Sequence, residues 1–168
     1  MSDLYKEHLV KKEPDAGDMV KKFGSIALIV LCAAAGLFIH PLMLLAAIIL
    51  GILAAFFVFP NTDLEYEYLL VNHSLDIDKV MAKSRRKKLK SFDLSTADII
   101  APLNSHRLDY YNSNSALKTL DYSSGNPEHR RYAFIIREDG GTRRVIIEPD
   151  DAMIQMMHQS MPGKCFTD

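Results

Sequence analysis

The chain has 168 residues, 20 Lys and Arg against 21 Asp and Glu, and a formal net charge of −1. That length holds one ordinary domain plus a short anchor, and so even a balance excludes a protein whose bulk field draws it to nucleic acid. The 2 cysteines, Cys32 and Cys165, lie far apart without C-x-x-C spacing, which excludes a disulfide framework and suits a reducing compartment.

Residues 1–22 form a polar N-terminal segment on the cytoplasmic side. Leu4, Tyr5, His8 and Leu9 have the spacing of a turn or two of amphipathic helix on a membrane surface, which Pro14, Asp15 and Gly17 then break. The first dozen residues read more simply as a mobile terminus. Asp18 stands where the next helix needs an N-cap.

From Phe23 to Pro60 there is no Asp, Glu, Lys or Arg. A bilayer core of ~30 Å takes about 20 helical residues at ~1.5 Å each. One helix over the whole block would be nearly twice too long. Residues 23–60 therefore predict a two-helix transmembrane hairpin turning at His40-Pro41, where proline suits the first turn of a new helix. So short a turn makes the helices antiparallel neighbours. Ala47, Gly51 and Ala55 recur every four residues, as do Cys32 and Gly36. Small residues let helix backbones approach in lipid, here for packing within the hairpin ahead of a dimerisation face. A cleaved signal peptide fits poorly, because Glu7, Glu13, Asp15 and Asp18 precede the block and the apolar run is too long.

Lys11, Lys12, Lys21 and Lys22 precede the first helix, and Lys79, Lys83, Arg85, Arg86, Lys87, Lys88 and Lys90 follow the second, while the turn has no Lys or Arg. Positive charge resists translocation, so both ends are expected on the cytoplasmic side of the inner (plasma) membrane.

Residues 61–168 change to period two, the pattern of half-buried strands. Leu64, Tyr66, Tyr68 and Leu70 alternate with acids, Asn72-His73-Ser74 turns the chain, and Leu75 and Ile77 continue as a second strand. Lys83–Phe92 and Ile99–Leu103 are further candidates, with weaker strands around Leu108–Tyr111 and Leu117–Tyr122. Ser123-Ser124-Gly125-Asn126-Pro127 is a turn. Tyr132–Arg137 and Arg144–Glu148 form a hairpin through Asp139-Gly140-Gly141. Asp150 or Asp151 then caps a helix whose Met153, Ile154, Met157 and Met161 recur at helical spacing, and Pro162-Gly163 ends it. The pattern is a mainly-β, α+β domain of six or seven antiparallel strands with a C-terminal helix over one edge or end.

Those hairpins, the late D-G-G turn at Asp139–Gly141 and the capped helix over Asp150–Met161 resemble the bacterial pleckstrin-homology-like (PH-like) domain. The whole chain is similar to small uncharacterised bacterial two-span membrane proteins that carry one. The resemblance implies a seven-strand, partly open barrel closed by the helix, and binding or scaffolding without enzymatic activity. It does not carry over phosphoinositide binding, because the loop read as the first hairpin's, Asn72-His73-Ser74, lacks the basic residues.

The basic run Lys83, Arg85, Arg86, Lys87, Lys88 and Lys90 is a candidate for anionic lipid head groups, at about 1 kcal/mol per residue near a surface. It reads equally as an edge strand whose lysines deter aggregation. His8, His40, His73, His106, His129 and His158 show no H-x-x-x-H or H-E-x-x-H pattern, and His106 beside Ser105 and Asp109 is proximity alone. No phosphate-binding, nucleophile-elbow or dinucleotide motif occurs. No residue is assigned to catalysis, a cofactor or a metal. The Met153, Met156, Met157 and Met161 set reads as core ahead of an adaptable docking face, and Tyr110-Tyr111 as strand packing or a peptide groove. The expectation is a membrane-anchored binding or scaffolding module. Its partners would be the bilayer, anionic head groups, and an unknown protein or a second copy, but not nucleic acid. The alternative is an accessory subunit of a transporter or membrane enzyme complex, docking through the hairpin.

Overall fold

The computed structural model describes residues 5–114, 117–138 and 140–168. Contacts divide the chain into two units: residues 13–64 with 80–85, and the remainder, 5–12, 65–79 and 86–168.

The first unit is built on α1 (Ala16–Phe38) and α2 (Leu42–Thr62), both long and apolar enough to cross a membrane. Asp15, not Asp18, caps α1: its carboxylate accepts the Asp18 N–H at 2.7 Å. Asp18 falls in the first turn, where the helix dipole favours a negative charge. At the reversal the Ile39 and His40 N–H groups donate to the Ala35 carbonyl, and His40 Nδ1 accepts the Leu42 N–H at 3.2 Å. So the His40-Pro41 turn also satisfies an orphan donor at the start of α2.

Pro60 sets the other end of α2. It has no N–H for the Phe56 carbonyl, and its ring crowds that group. The helix widens just before it into a π turn over Ala54–Val58, with the Phe59 N–H reaching back to the Ala54 carbonyl. The Asn61 amide donates to the Phe57 carbonyl at 2.7 Å.

Gly36, Ala47 and Ala54 are buried between the helices. A Cβ at Gly36 would lie 2.6 Å from Leu44 Cγ and 2.7 Å from the Leu44 backbone nitrogen, so no larger residue fits. Cys32 and Gly51 are half-buried, and Ala55, expected on the packing face, is exposed. The correction is geometric: a strict four-residue spacing overshoots the ~3.6-residue turn and drifts off one face. Ala54 occupies the seam instead.

The second unit holds two open four-stranded sheets rather than one barrel. The first has the order β1 (Tyr5–Lys11), β2 (Leu64–Val71), β3 (Ser74–Met81), β4 (Arg85–Asp93). The second has the order β5-β7-β8-β6, with β5 Ile99–Pro102, β6 Lys118–Asp121, β7 Tyr132–Glu138 and β8 Gly141–Ile147. β6 runs parallel to β8, whereas β1–β2, β5–β7 and β7–β8 are antiparallel. Inward-facing Tyr68, Leu70, Leu75, Ile77, Phe92, Phe134 and Val145 make the main core, which the C-terminal helix (Asp151–Ser160) completes with Met153, Ile154 and Met157. Those methionines are core, as helical spacing predicts.

The N-terminal segment is the largest departure from expectation. Tyr5–Lys11 is neither mobile nor helical: it is β1, paired antiparallel with β2 from Tyr5 opposite Val71 to Lys11 opposite Glu65. Leu4 lies outside the described residues, as does Asp139 of the D-G-G turn. The domain therefore begins before the apolar helices, not at residue 61. The 108–111 strand is also replaced: His106–Leu108 is a 3-10 turn and Asp109–Asn112 a helical turn, started where Ser105 Oγ accepts the Arg107 N–H. Local capping by serine wins there because only Leu108 offers a buried side chain.

The β5 edge is covered by the chain's own tail: the Ile100 N–H donates to the Lys164 carbonyl and the Phe166 N–H to the Ile100 carbonyl, both at 2.8 Å. Burial there pushes the Cys165 thiol up to about 11, which keeps it inert.

Asp150 ties β1 to the C-terminal helix: it accepts the Met153 N–H at 2.8 Å and meets Lys6 Nζ at 2.9 Å. Burial works to raise this carboxyl, but Lys6, the Met153 N–H and His8 outweigh it and hold it below its usual range. A depressed carboxyl stabilises the fold above its unfolded pKa, and that contribution is lost as pH falls through the folded value. Asp150→Ala is expected to cost about 1–2 kcal/mol at neutral pH, and the gap to the native chain should narrow as the medium is acidified below the ordinary carboxylate range, as read by urea unfolding. Asp150→Asn, which keeps the cap, should lose less.

Candidate functional site

β4 carries the basic run, and the structure sorts its members by what they meet. Arg86 Nη2 lies 2.6 Å from Glu67 Oε1, Lys88 Nζ 2.9 Å from Asp76 Oδ2, and Lys90 Nζ 2.5 Å from Glu138 Oε2. Arg143 adds a second cation to Glu138 at 3.4 Å. Arg86 and Lys88 are neutralised within their own sheet, and Lys90 by β7 of the other. Lys83, Arg85 and Lys87 have no carboxylate ion pair among the described residues.

Arg86 faces an unusual carboxylate pair. Glu67 is 5% exposed on β2, and the strand register sets Glu7 of β1 diagonally beside it. Burial pushes the Glu67 carboxyl up, the hydrogen bond with Glu7 adds to this, and Arg86 opposes both. The same hydrogen bond, with Tyr5, holds Glu7 below its usual value.

Arg85 belongs with the helices. Its guanidinium stands 5.5 Å from the centroid of the Phe56 ring, and its Nη1 lies 3.5 Å from the Phe56 carbonyl, one helical turn before Pro60. The preceding turn is held to the same helix end: the Ala82 N–H donates to the Asp63 carbonyl at 2.9 Å. Its central residues, Ala82 and Lys83, both have positive φ, 48° and 54°. Neither is glycine or asparagine, so the turn stores strain of order 1 kcal/mol or more per residue.

His129 Nδ1 lies 2.7 Å from Glu148 Oε1 and 3.3 Å from Ser124 Oγ. Both neighbours meet the same nitrogen, whereas a catalytic triad needs opposite ring nitrogens. His106 meets Asp109 at 3.3 Å on open surface. Ser105 Oγ, near in sequence, is taken up by the Arg107 N–H. An open depression of about 500 Å³ between Leu103-Asn104 and Pro127–Arg131 holds His129 and Arg130, which are committed to Glu148 and to the Thr167 carbonyl. Among the described residues no group of three or more His, Cys, Asp or Glu side chains is placed to hold a metal. Tyr110 is exposed and stacks edge-on against Tyr111 at 5.3 Å.

The family model described as Bacterial PH-like domain (DUF6106) matches residues 2–167. The chain belongs to that family. Comparisons with curated proteins and with solved structures returned no match. The family match runs from the first strand through both apolar helices to the tail, so the helices are part of the family's pattern and not an appendage. In this PH-like domain the first hairpin is β1–β2, and its connection contains the whole helical pair. Asn72-His73 joins β2 to β3, the second hairpin, which corrects the reading of that loop as the first.

Proposed function

We propose that this protein is a membrane-anchored binding and scaffolding module: the two helices cross the bilayer as a hairpin and present the PH-like domain at the cytoplasmic face of the inner membrane. The observation that carries this reading is the pairing of β1 with β2 across the hairpin. One strand precedes α1 and the other follows α2, so a chain that crosses must come back for its own domain to form. A second observation agrees with it. Phe38, Leu31, Ile48 and Phe57 are each at least 60% exposed, an apolar surface that water does not tolerate and lipid does. The lysines flanking the hairpin favour the cytoplasmic side. The absence of a convergent, unpartnered polar cluster among the described residues favours binding over catalysis.

The reading is tested by extraction and by exchange of the anchor. The full chain is expected to sediment with membranes after a carbonate wash and to require detergent for release. Replacing residues 16–62 by an unrelated two-span hairpin should leave capture of a protein partner intact. Loss of the partner with the native hairpin would favour the accessory-subunit reading, and a chain that washes off would sink both.

A further inference from the structure

We infer that Lys83 and Arg85 form a site for the phosphate of an anionic phospholipid at the membrane border of α2, an inference that rests on the anchored reading above. Phe56 lies four residues before Pro60, where the uncharged block ends, so it sits ~6 Å inside the apolar segment at ~1.5 Å per residue. Arg85 is held against that residue by its ring and by its carbonyl. A guanidinium at this depth pays heavily for lost hydration unless a counter-charge reaches it. No carboxylate of the described residues supplies one, and the nearest counter-charge a bilayer offers is the lipid phosphate just outside the apolar layer, which an arginine near a helix end reaches by extending toward the interface.

Arginine suits that task, since its planar donors grip two phosphate oxygens at once. One edge of the guanidinium is used on the Phe56 carbonyl, and Arg85 is otherwise exposed, so its other donors are open to a ligand. The strained Ala82-Lys83 turn puts a second cation two residues away, on a loop pinned to the same helix end. Strain kept in a surface turn without glycine is a sign that position is held for use. Lys21 and Lys22, in the second turn of α1, lie near the same border, since Ser25 and Phe57 line one crevice between α1 and α2. Lys21 is drawn toward Asp18 at 4.0 Å. By contrast Arg86, Lys88 and Lys90 are spent on Glu67, Asp76 and Glu138, so the site is two residues of the basic run and not all six.

The test uses the full chain, stripped of lipid in a neutral detergent and titrated with phosphatidylglycerol or with phosphatidylcholine of the same acyl chains. Retained lipid is read by native mass spectrometry. Phosphatidylglycerol should be held more tightly, by about tenfold or more for two surface cations. Lys83→Gln with Arg85→Gln should abolish the preference, and Arg85→Lys should weaken it, because charge remains while the planar grip is lost. Arg86→Gln and Lys88→Gln should leave it unchanged. Equal retention of the two lipids, or a preference that survives the Lys83/Arg85 pair of substitutions, overturns the inference. So does displacement of the lipid by excess glycerol phosphate, which would mark a site for free phosphate. The same preparations are checked for membrane sedimentation before stripping: a chain that sediments but shows no preference defeats the lipid site alone, and one that does not sediment defeats the anchor as well.

Discussion

Cysteine reporters at Glu13 and Ser113 are expected to react from the same side of a sealed membrane vesicle, and a reporter at His40 from the other. Both native cysteines are first replaced by alanine, and an impermeant maleimide reads the sidedness. Glu13 joins β1 to α1, Ser113 lies within the strand-bearing unit, and both are exposed. The pairing of β1 with β2 runs unbroken from Tyr5↔Val71 to Lys11↔Glu65. A chain with its ends on opposite sides would forfeit that ladder and expose β2 as a raw edge, with Tyr68 and Leu70 stripped of a neighbour. It would also separate Lys6 from Asp150 and remove Val10 from the core. The effect is all-or-none, because no partial crossing satisfies both the lipid and the ladder. Labelling of positions 13 and 113 from opposite sides would end the argument.

What the sequence revealed and what it hid follow from one physical distinction. The helical pair was legible because absence of charge over Phe23–Pro60 is a local property, and so was the break at His40-Pro41. The Tyr132–Glu138 and Gly141–Ile147 hairpin was equally legible, since each strand carries its own unbroken apolar run and the turn between them is adjacent. β1 was hidden. Tyr5–Lys11 carries Lys6, Glu7 and Lys11 and buries only Val10, so it has no apolar face of its own. It becomes a strand because a partner more than fifty residues away offers an edge. The basic run failed for the same reason. Nothing near Arg86, Lys88 or Lys90 in sequence announces Glu67, Asp76 and Glu138, which reach them from other strands. Nor does the sequence announce that Arg85 reaches back to the Phe56 carbonyl. Local chemistry was read correctly and long-range pairing decided which charges remain available.

Tyr68→Phe is expected to destabilise the folded domain by about 2 kcal/mol, a large effect for the loss of one oxygen. Tyr68 is fully buried on β2 in the first sheet. Its hydroxyl donates to the Tyr122 carbonyl at 2.5 Å and accepts the Glu148 N–H at 3.2 Å, both just beyond strands of the second sheet. Removing the oxygen leaves a buried carbonyl and a buried N–H unpaired, each worth roughly 1–3 kcal/mol of desolvation in the worst case. Tyr68→Ala adds a cavity and should cost about 3–5 kcal/mol. Tyr110→Phe, on a ring that is 82% exposed, should stay within about 0.5 kcal/mol of the native chain. The phenol also gives a pH signature. Burial drives the Tyr68 pKa well above the ordinary tyrosine value, with the nearby Glu148 charge adding to it and the Glu148 N–H opposing. A group whose folded pKa is raised contributes stability that is complete below its unfolded pKa, about 10, and is lost as pH rises beyond that value. The native chain should therefore lose stability above about pH 10, and Tyr68→Phe should show a shallower decline there. It should not be flat, because burial also raises Tyr122 and Tyr132. Chemical unfolding of the full chain in detergent micelles at neutral and alkaline pH supplies both numbers. A Tyr68→Phe variant as stable as the native protein at neutral pH would mean that this hydroxyl does not join the two sheets.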